Sequence, residues 1–164
     1  MKKILIILVA FVLLAASIGA QSIDSISKAS TSNYYTKTSL TGEDLWKALE
    51  NYQLSVSVAT VNPDGSPNAA VVIPGVTKDR QHLFFGLAPN QTGINMKERK
   101  LIVVTATGYI APKGDQKMTY SGARIIAEYV SDPAIQKKLV EQNKDKKASD
   151  STIFLKIVKV LPIG

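Results

Sequence analysis

The stretch Leu54–Pro74, LSVSVATVNPDGSPNAAVVIP, sets two β-branched runs on either side of Asn62-Pro63-Asp64-Gly65. In the first run Val56, Val58 and Thr60 alternate with Ser55, Ser57 and Ala59. That period of two turns one side toward a core and leaves a small, polar side outward. The second run, Val71-Val72-Ile73, is almost unbroken in its apolarity. Pro63 presets a turn angle, Asp64 can bond its own backbone and Gly65 suits a left-handed position, so the pair is expected to form a hairpin. Pro67 and Pro74 bracket the second strand. Lacking an N–H, they suit an edge or a strand end.

Working outward, a helix is expected after Thr41-Gly42-Glu43-Asp44, read as a capping box, with Leu45, Trp46 and Leu49 on its apolar side. Trp46 is expected to fill the core at the open end of the sheet. After the hairpin come a third strand from His82 to Ala88, stopped by Pro89, and a short helix starting near Thr92. Leu101–Thr107 reads as a central strand. Lys117–Val130 is a long one, in which Gly122 marks a bulge or a close backbone approach. Asp132-Pro133 opens a helix, with aspartate at the cap and proline at the first helical position. Thr152–Val160 closes the series. These elements predict a mainly β, α+β domain over residues 41–164: a six-stranded antiparallel sheet that curls into a small barrel with short flanking helices.

The chain has 164 residues, and its start differs in character from the rest. Lys2 and Lys3 precede an apolar block from Ile4 to Ala16 and then Ser17-Ile18-Gly19-Ala20. A charged, apolar and small-residue succession of this kind is expected of a signal peptide over residues 1–20. The block is shorter than the roughly 20 apolar residues of a spanning helix, so no membrane span is expected once the leader is removed. Residues 21–40, rich in Ser, Thr, Asn and Lys, read as a flexible lead-in. The expected location is therefore outside the cytoplasm, periplasmic or secreted.

The sequence has no cysteine, which excludes disulfides, cysteine metal sites and a thiol nucleophile. Its formal charge is +7, of which Lys2 and Lys3 contribute two, leaving +5 after Ala20. Lys137, Lys138, Lys144, Lys146 and Lys147 hold much of that excess, but acids interrupt them and no aromatics lie among them. A solvated face is expected, not a nucleic-acid surface. With one histidine, His82, a polyhistidine metal site cannot form, and a strand-end role is expected for it. The carboxylates fall at turns and caps without a catalytic pair, and no Walker or Rossmann loop is present. The catalytic residues stay unassigned. One constellation remains: Asn90-Gln91-Thr92-Gly93-Ile94-Asn95 follows a strand and opens a helix, where free N–H groups favour a phosphate.

The series LSVSVATVNPDGSPNAAVVIPGV, HLFFGLAPNQTGINMKERKLIVVTA and YSGARIIAEYVSDPAIQKKL resembles the pyridoxamine 5′-phosphate oxidase-like family of flavin-binding split barrels. The likeness spans about Asp44 to Val160. It makes the six-stranded antiparallel barrel a split barrel, and it implies a homodimer with flavin mononucleotide (FMN) at the subunit interface and a small-molecule redox substrate. By that likeness Asn68, Val71, Val72, Ile73 and Pro74 would line the flavin ring, mainly through backbone groups. Leu87, Ala88, Gln91, Thr92, Asn95 and Lys97 would approach the ribityl phosphate. The chain has Thr92 and Gly93 where many members carry a basic residue, leaving mostly neutral donors, and charge-assisted bonds are about twice as strong as neutral ones. The expected function is that of an FMN-dependent oxidoreductase. A haem-binding or flavin-like ligand-binding module on the same barrel is the alternative, with His82, Met96, Met118 and the tyrosines as the available axial donors. A ligand-free structural protein of the envelope is the third reading.

Overall fold

The computed structural model describes residues 38–99, 101–110 and 119–163, so the expected leader and nearly all of the lead-in lie outside the described residues. The elements run α1 (Gly42–Glu50), β1 (Ser55–Val61), β2 (Pro67–Val72), β3 (Gly75–Val76), β4 (His82–Phe85), α2 (Gln91–Glu98), β5 (Ile102–Ile110), β6 (Thr119–Tyr129), α3 (Pro133–Gln142), a 3-10 turn (Lys144–Lys146) and β7 (Ile153–Leu161). Among the described residues no helix is long and apolar enough to cross a membrane.

All neighbouring strands are antiparallel, in the order β2-β1-β5-β6-β7-β4-β3. β2 and β3 stand at opposite ends of that order, yet only Ile73 and Pro74 separate them in the chain. Three Cα–Cα steps reach no further than about 11 Å. The sheet therefore has to curl until its two edges are close, and it forms a half-barrel whose split is bridged by the chain and not by a ladder. Seven strands result among the described residues where six were expected. The second strand breaks at Ile73-Pro74, because proline donates no ladder bond, and the chain re-enters the sheet at Gly75–Val76 against β4.

The hairpin forms as its sequence prescribes, with Val56 opposite Val72 and Thr60 opposite Asn68. Gly65 takes φ +85°, and the Asp64 carboxylate accepts from the Ser66 N–H at 2.9 Å and its hydroxyl at 2.6 Å. Val56, Val58, Ile102, Val104, Ile125 and Leu155 point into the core, which Leu45 and Leu49 of α1 and Met96 of α2 close off. Trp46 packs half-buried against it. β4 from Leu83 to Phe85 and the start of β7, Ile153 to Leu155, are buried on both faces. Leu83 and Phe85 join that core, while Phe84 and Phe154 face Leu139 of α3, their ring centroids 5.9 Å apart. Two covered faces explain why these strands read as continuous apolar runs.

Three local expectations resolve differently in detail. Thr41 stands at the start of α1, but its hydroxyl makes no capping bond, and Gly42 enters the helix at φ +52°. Helix α2 starts at Gln91, with the Asn90 side chain accepting from Gly93 N–H at 2.9 Å, so Thr92 sits inside the first turn. Gly122 provides the close approach and not the bulge: a Cβ there would sit 1.9 Å from the Ala106 carbonyl oxygen, and the β6–β7 register slips further on, at Ile126/Ala127. Asp132 caps α3 as expected, accepting from Ala134 N–H at 2.8 Å and Ile135 N–H at 3.3 Å.

Candidate functional site

Helix α2 packs on β1 and β2, which brings the expected phosphate corner against the hairpin. There the side chains bond to one another. The Asn95 amide donates to Thr60 Oγ1 at 3.1 Å and Asn62 Oδ1 at 2.8 Å, and Gln91 Nε2 donates to Asn95 Oδ1 at 2.8 Å. Asn68 Nδ2 donates to Thr60 Oγ1 at 2.9 Å and Thr92 Oγ1 at 3.0 Å. Asn95 is fully buried and Thr92 nearly so. The Thr92 hydroxyl and Asn95 amide, expected to reach a phosphate, are thus turned inward, because a polar group this deep has to find partners inside the fold. Lys97 lies exposed on the far part of α2, and Arg99 Nε donates to the Val61 carbonyl at 3.3 Å.

The residues expected around a flavin ring divide by strand parity. Val71 and Ile73 are 80% and 74% exposed, whereas Val72 and Pro74 point inward. Among the described residues β2 ends the sheet, so on its outer side alternate residues present N–H and C=O groups without a strand partner there. Leu87 packs half-buried on the core, and Ala88 is exposed. Beside this strip, the outer side of β1, β2 and β5 bears Ser55, Ala59, Ala69 and Val71 exposed and Ser57, Val103 and Thr105 half-buried.

A cavity of about 540 Å³ opens at the split, between the end of α1, the β2–β3 corner, β4 and the segment after α3. Ile73 and Pro74 are the two expected ring residues that line it. Its floor is apolar, with Leu49, Val76 and Phe84, and a Cβ on Gly75 would fall 2.1 Å from the Phe84 ring, so that the glycine leaves room for the ring. One wall is ionic. Lys146 Nζ donates to Glu50 Oε1 at 3.0 Å and the Val76 carbonyl at 2.9 Å, while Arg80 bridges Glu50 and Glu43. The hydrogen bond from Lys146, with Arg80 behind it, holds the Glu50 carboxyl below its usual range despite the opposing effect of burial.

Tyr52, Lys146 and Lys147 on this rim were not singled out by sequence reasoning as site residues. The lysines belong to the run read as a solvated face, which describes Lys137 and Lys138 but not Lys146. His82 opens β4 as expected, with its Nδ1 buried, without a hydrogen bond among the described residues, and 3.7 Å from Asp79 Oδ1. Met96 is fully buried in the core, and Met118 lies outside the described residues. Among the described residues no cluster of three or more His, Asp or Glu is arranged to hold a metal.

No family model matches the chain, and no curated protein matches it. Solved structures do. A single-residue variant of HupZ from Group A Streptococcus superposes with a TM-score of 0.52 at 14% identity, covering 74% of this chain and 98% of that one. An FMN-binding protein from Syntrophomonas wolfei gives 0.48 at 17% identity, over 87% and 97% of the two chains. A putative pyridoxamine 5′-phosphate oxidase from Lactobacillus delbrueckii gives 0.47 at 19% identity, over 74% and 93%. At such identities the likeness is one of fold, carried here by the HupZ superposition. The curled antiparallel half-barrel of the chain is the fold class expected from its sequence.

Proposed function

We propose that this split barrel binds a flavin-type cofactor, with FMN the first choice, along the free edge of β2, and acts as a flavin-dependent oxidoreductase on a small-molecule substrate. The observation that carries the reading is the edge itself: an exposed apolar strip, Val71 and Ile73, beside a row of unpaired backbone donors and acceptors. Such a strip fits a flat ring whose heteroatoms need hydrogen bonds and whose remainder is apolar. The tail has a weaker match. Asn68, Thr92 and Asn95 brace the corner from within, so the phosphate falls to the first N–H groups of α2, the exposed Gln91 and Lys97, and the borders Leu87 and Ala88. Val72 and Pro74 anchor the strip from the core side.

When bound, the flavin supplies hydride and electron transfer, and the chain positions it and shields one face from water. A homodimer belongs to the same reading. The small outer side of β1, β2 and β5, with Val61, Tyr109 and Tyr120 also exposed, suits a second copy, which would give the ring its other wall. Export through the leader, with cleavage near Ala20, completes it.

The absorption spectrum and mass of whatever copurifies with the protein test the reading. Flavin bands and the mass of FMN are expected. An intense haem band instead would support the ligand-binding alternative, and a colourless protein that ignores added FMN would remove the flavin altogether. Light scattering should give a dimer, since a strict monomer leaves the ring without its second wall. A mature N-terminus after Ala20 is expected from intact mass measured after expression with an export pathway.

A further inference from the structure

We propose that the cavity at the split is a binding site for a small organic anion with a flat apolar body, which stacks on Tyr52 and meets Lys147 with its carboxylate, sulfonate or phosphate. The first support is shape. At about 540 Å³ the cavity is within the usual range for small-molecule sites, roughly 300–1,000 Å³. Its floor is apolar, and its polar groups gather on one side.

Backbone conformation supplies the second support. Only three non-glycine residues among those described have positive φ: Tyr52 at 54°, Arg80 at 56° and Lys147 at 67°. Tyr52 and Lys147 stand on the rim of the cavity, and Arg80 holds the rim carboxylate Glu50. At both Tyr52 and Lys147 the left-handed residue ends a helical segment, with Gln53 N–H donating to the Ala48 carbonyl at 2.9 Å and Ala148 N–H to the Asn143 carbonyl at 3.2 Å, and it sets a long side chain on the rim at a position that glycine or asparagine fills at least cost. Tyr52 gains no burial in return, since it is 74% exposed. Its ring is displayed and not packed.

Charge gives the third. The acids on the rim already have partners: Glu50 is bonded by Lys146 and Arg80, and Asp145 meets Lys78 at 2.8 Å. The lowered titration of Glu50 keeps it ionised, so Lys146 remains tied to it. Lys146 spends two of its three donors on Glu50 and the Val76 carbonyl. Lys147 has no ion pair or hydrogen bond from its side chain among the described residues, which leaves one positive charge at the mouth without an acid of its own. An anion attached to an apolar body answers both halves of this surface.

The site adjoins the flavin strip at Ile73 and Pro74, but Tyr52 and Lys147 belong to neither its ring ledge nor its phosphate corner. Retained flavin with lost anion binding would therefore be told apart from the reverse. The test uses two fluorescent probes that share one skeleton: 1-anilinonaphthalene-8-sulfonate, an anion, and N-phenyl-1-naphthylamine, its uncharged counterpart. Lys147→Asn keeps a residue that accepts the left-handed backbone but removes the charge. It should weaken the anion about fivefold, change the neutral probe less than about twofold, and flatten the salt dependence of the anion. Gly86 lines the cavity with nothing within 4 Å of an added Cβ, so Gly86→Leu should fold normally and weaken both probes. If the ratio of the two affinities is the same in Lys147→Asn and in the unaltered protein, or if Gly86→Leu binds both as before with an unchanged melting temperature, the proposal is overturned.

Discussion

Two polar regions of this barrel, the α2 corner and the rim of the split, are built from similar numbers of donors and acceptors and behave in opposite ways. At the corner, Asn62, Asn68, Asn95, Gln91, Thr60 and Thr92 satisfy one another, and Asn95 has no exposed surface. At the rim, the ionic web of Glu43, Arg80, Glu50 and Lys146 leaves Lys147 over, next to an aromatic ring turned to solvent. A cluster of polar residues is thus a poor sign of a ligand site in itself. What matters is the bonding capacity left after the fold has taken its share: the corner has spent its side chains on holding a helix to a hairpin, and the rim has not.

The contrast breaks most readily at Asn95. Asn95→Ala removes a fully buried side chain with three hydrogen bonds, leaving Thr60 with Asn68 alone and the half-buried Asn62 oxygen without its donor, and urea unfolding should show a loss of about 2 kcal/mol. A loss under about 1 kcal/mol would mean that the corner is not the internal brace described here. Tyr52→Gly works in the other direction. Relief of the left-handed strain should raise stability by about 1 kcal/mol, while loss of the stacking surface weakens both fluorescent probes about fivefold. Tighter or equal probe binding would deprive Tyr52 of its role.

The smallest effect is the titration of the rim. The folded-state carboxyl of Glu50 lies below its ordinary value of 4.5, so its contribution to stability is complete above that value and is lost as pH falls through the folded one. Glu50→Gln should cost about 0.5–1 kcal/mol near neutrality and nothing in strong acid, with a flatter acid limb in a melting-temperature series. A constant gap between the two proteins at every pH would assign the effect to packing and not to charge.

Much of the frame was legible in order along the chain. The alternation of Val56, Val58 and Thr60, the turn at Asp64-Gly65 and the Asp132-Pro133 helix start are local matters, decided by backbone angles and by neighbours a few residues away. Gly122 reads as either a bulge or a close approach, and it makes the approach, to Ala106. Thr41 misled, because a residue that matches a capping pattern still needs its side chain rotated onto the helix, and Gly42 carries the entry instead. The phosphate corner misled more. Spacing marks a helix start after a strand, but it does not tell which way Thr92 and Asn95 face.

From the sequence alone came the antiparallel pattern, the hairpin, the helix starts and the family resemblance, since each is written in residues close together. Only the curled sheet decided that the chain would re-enter beyond Pro74 as a seventh strand against β4, that Asn95 would reach Thr60, and that Lys146 would meet Glu50 across 96 residues to wall a cavity. Those contacts depend on how far the sheet bends before its edges approach. That is a property of all its strands together, and no short stretch encodes it.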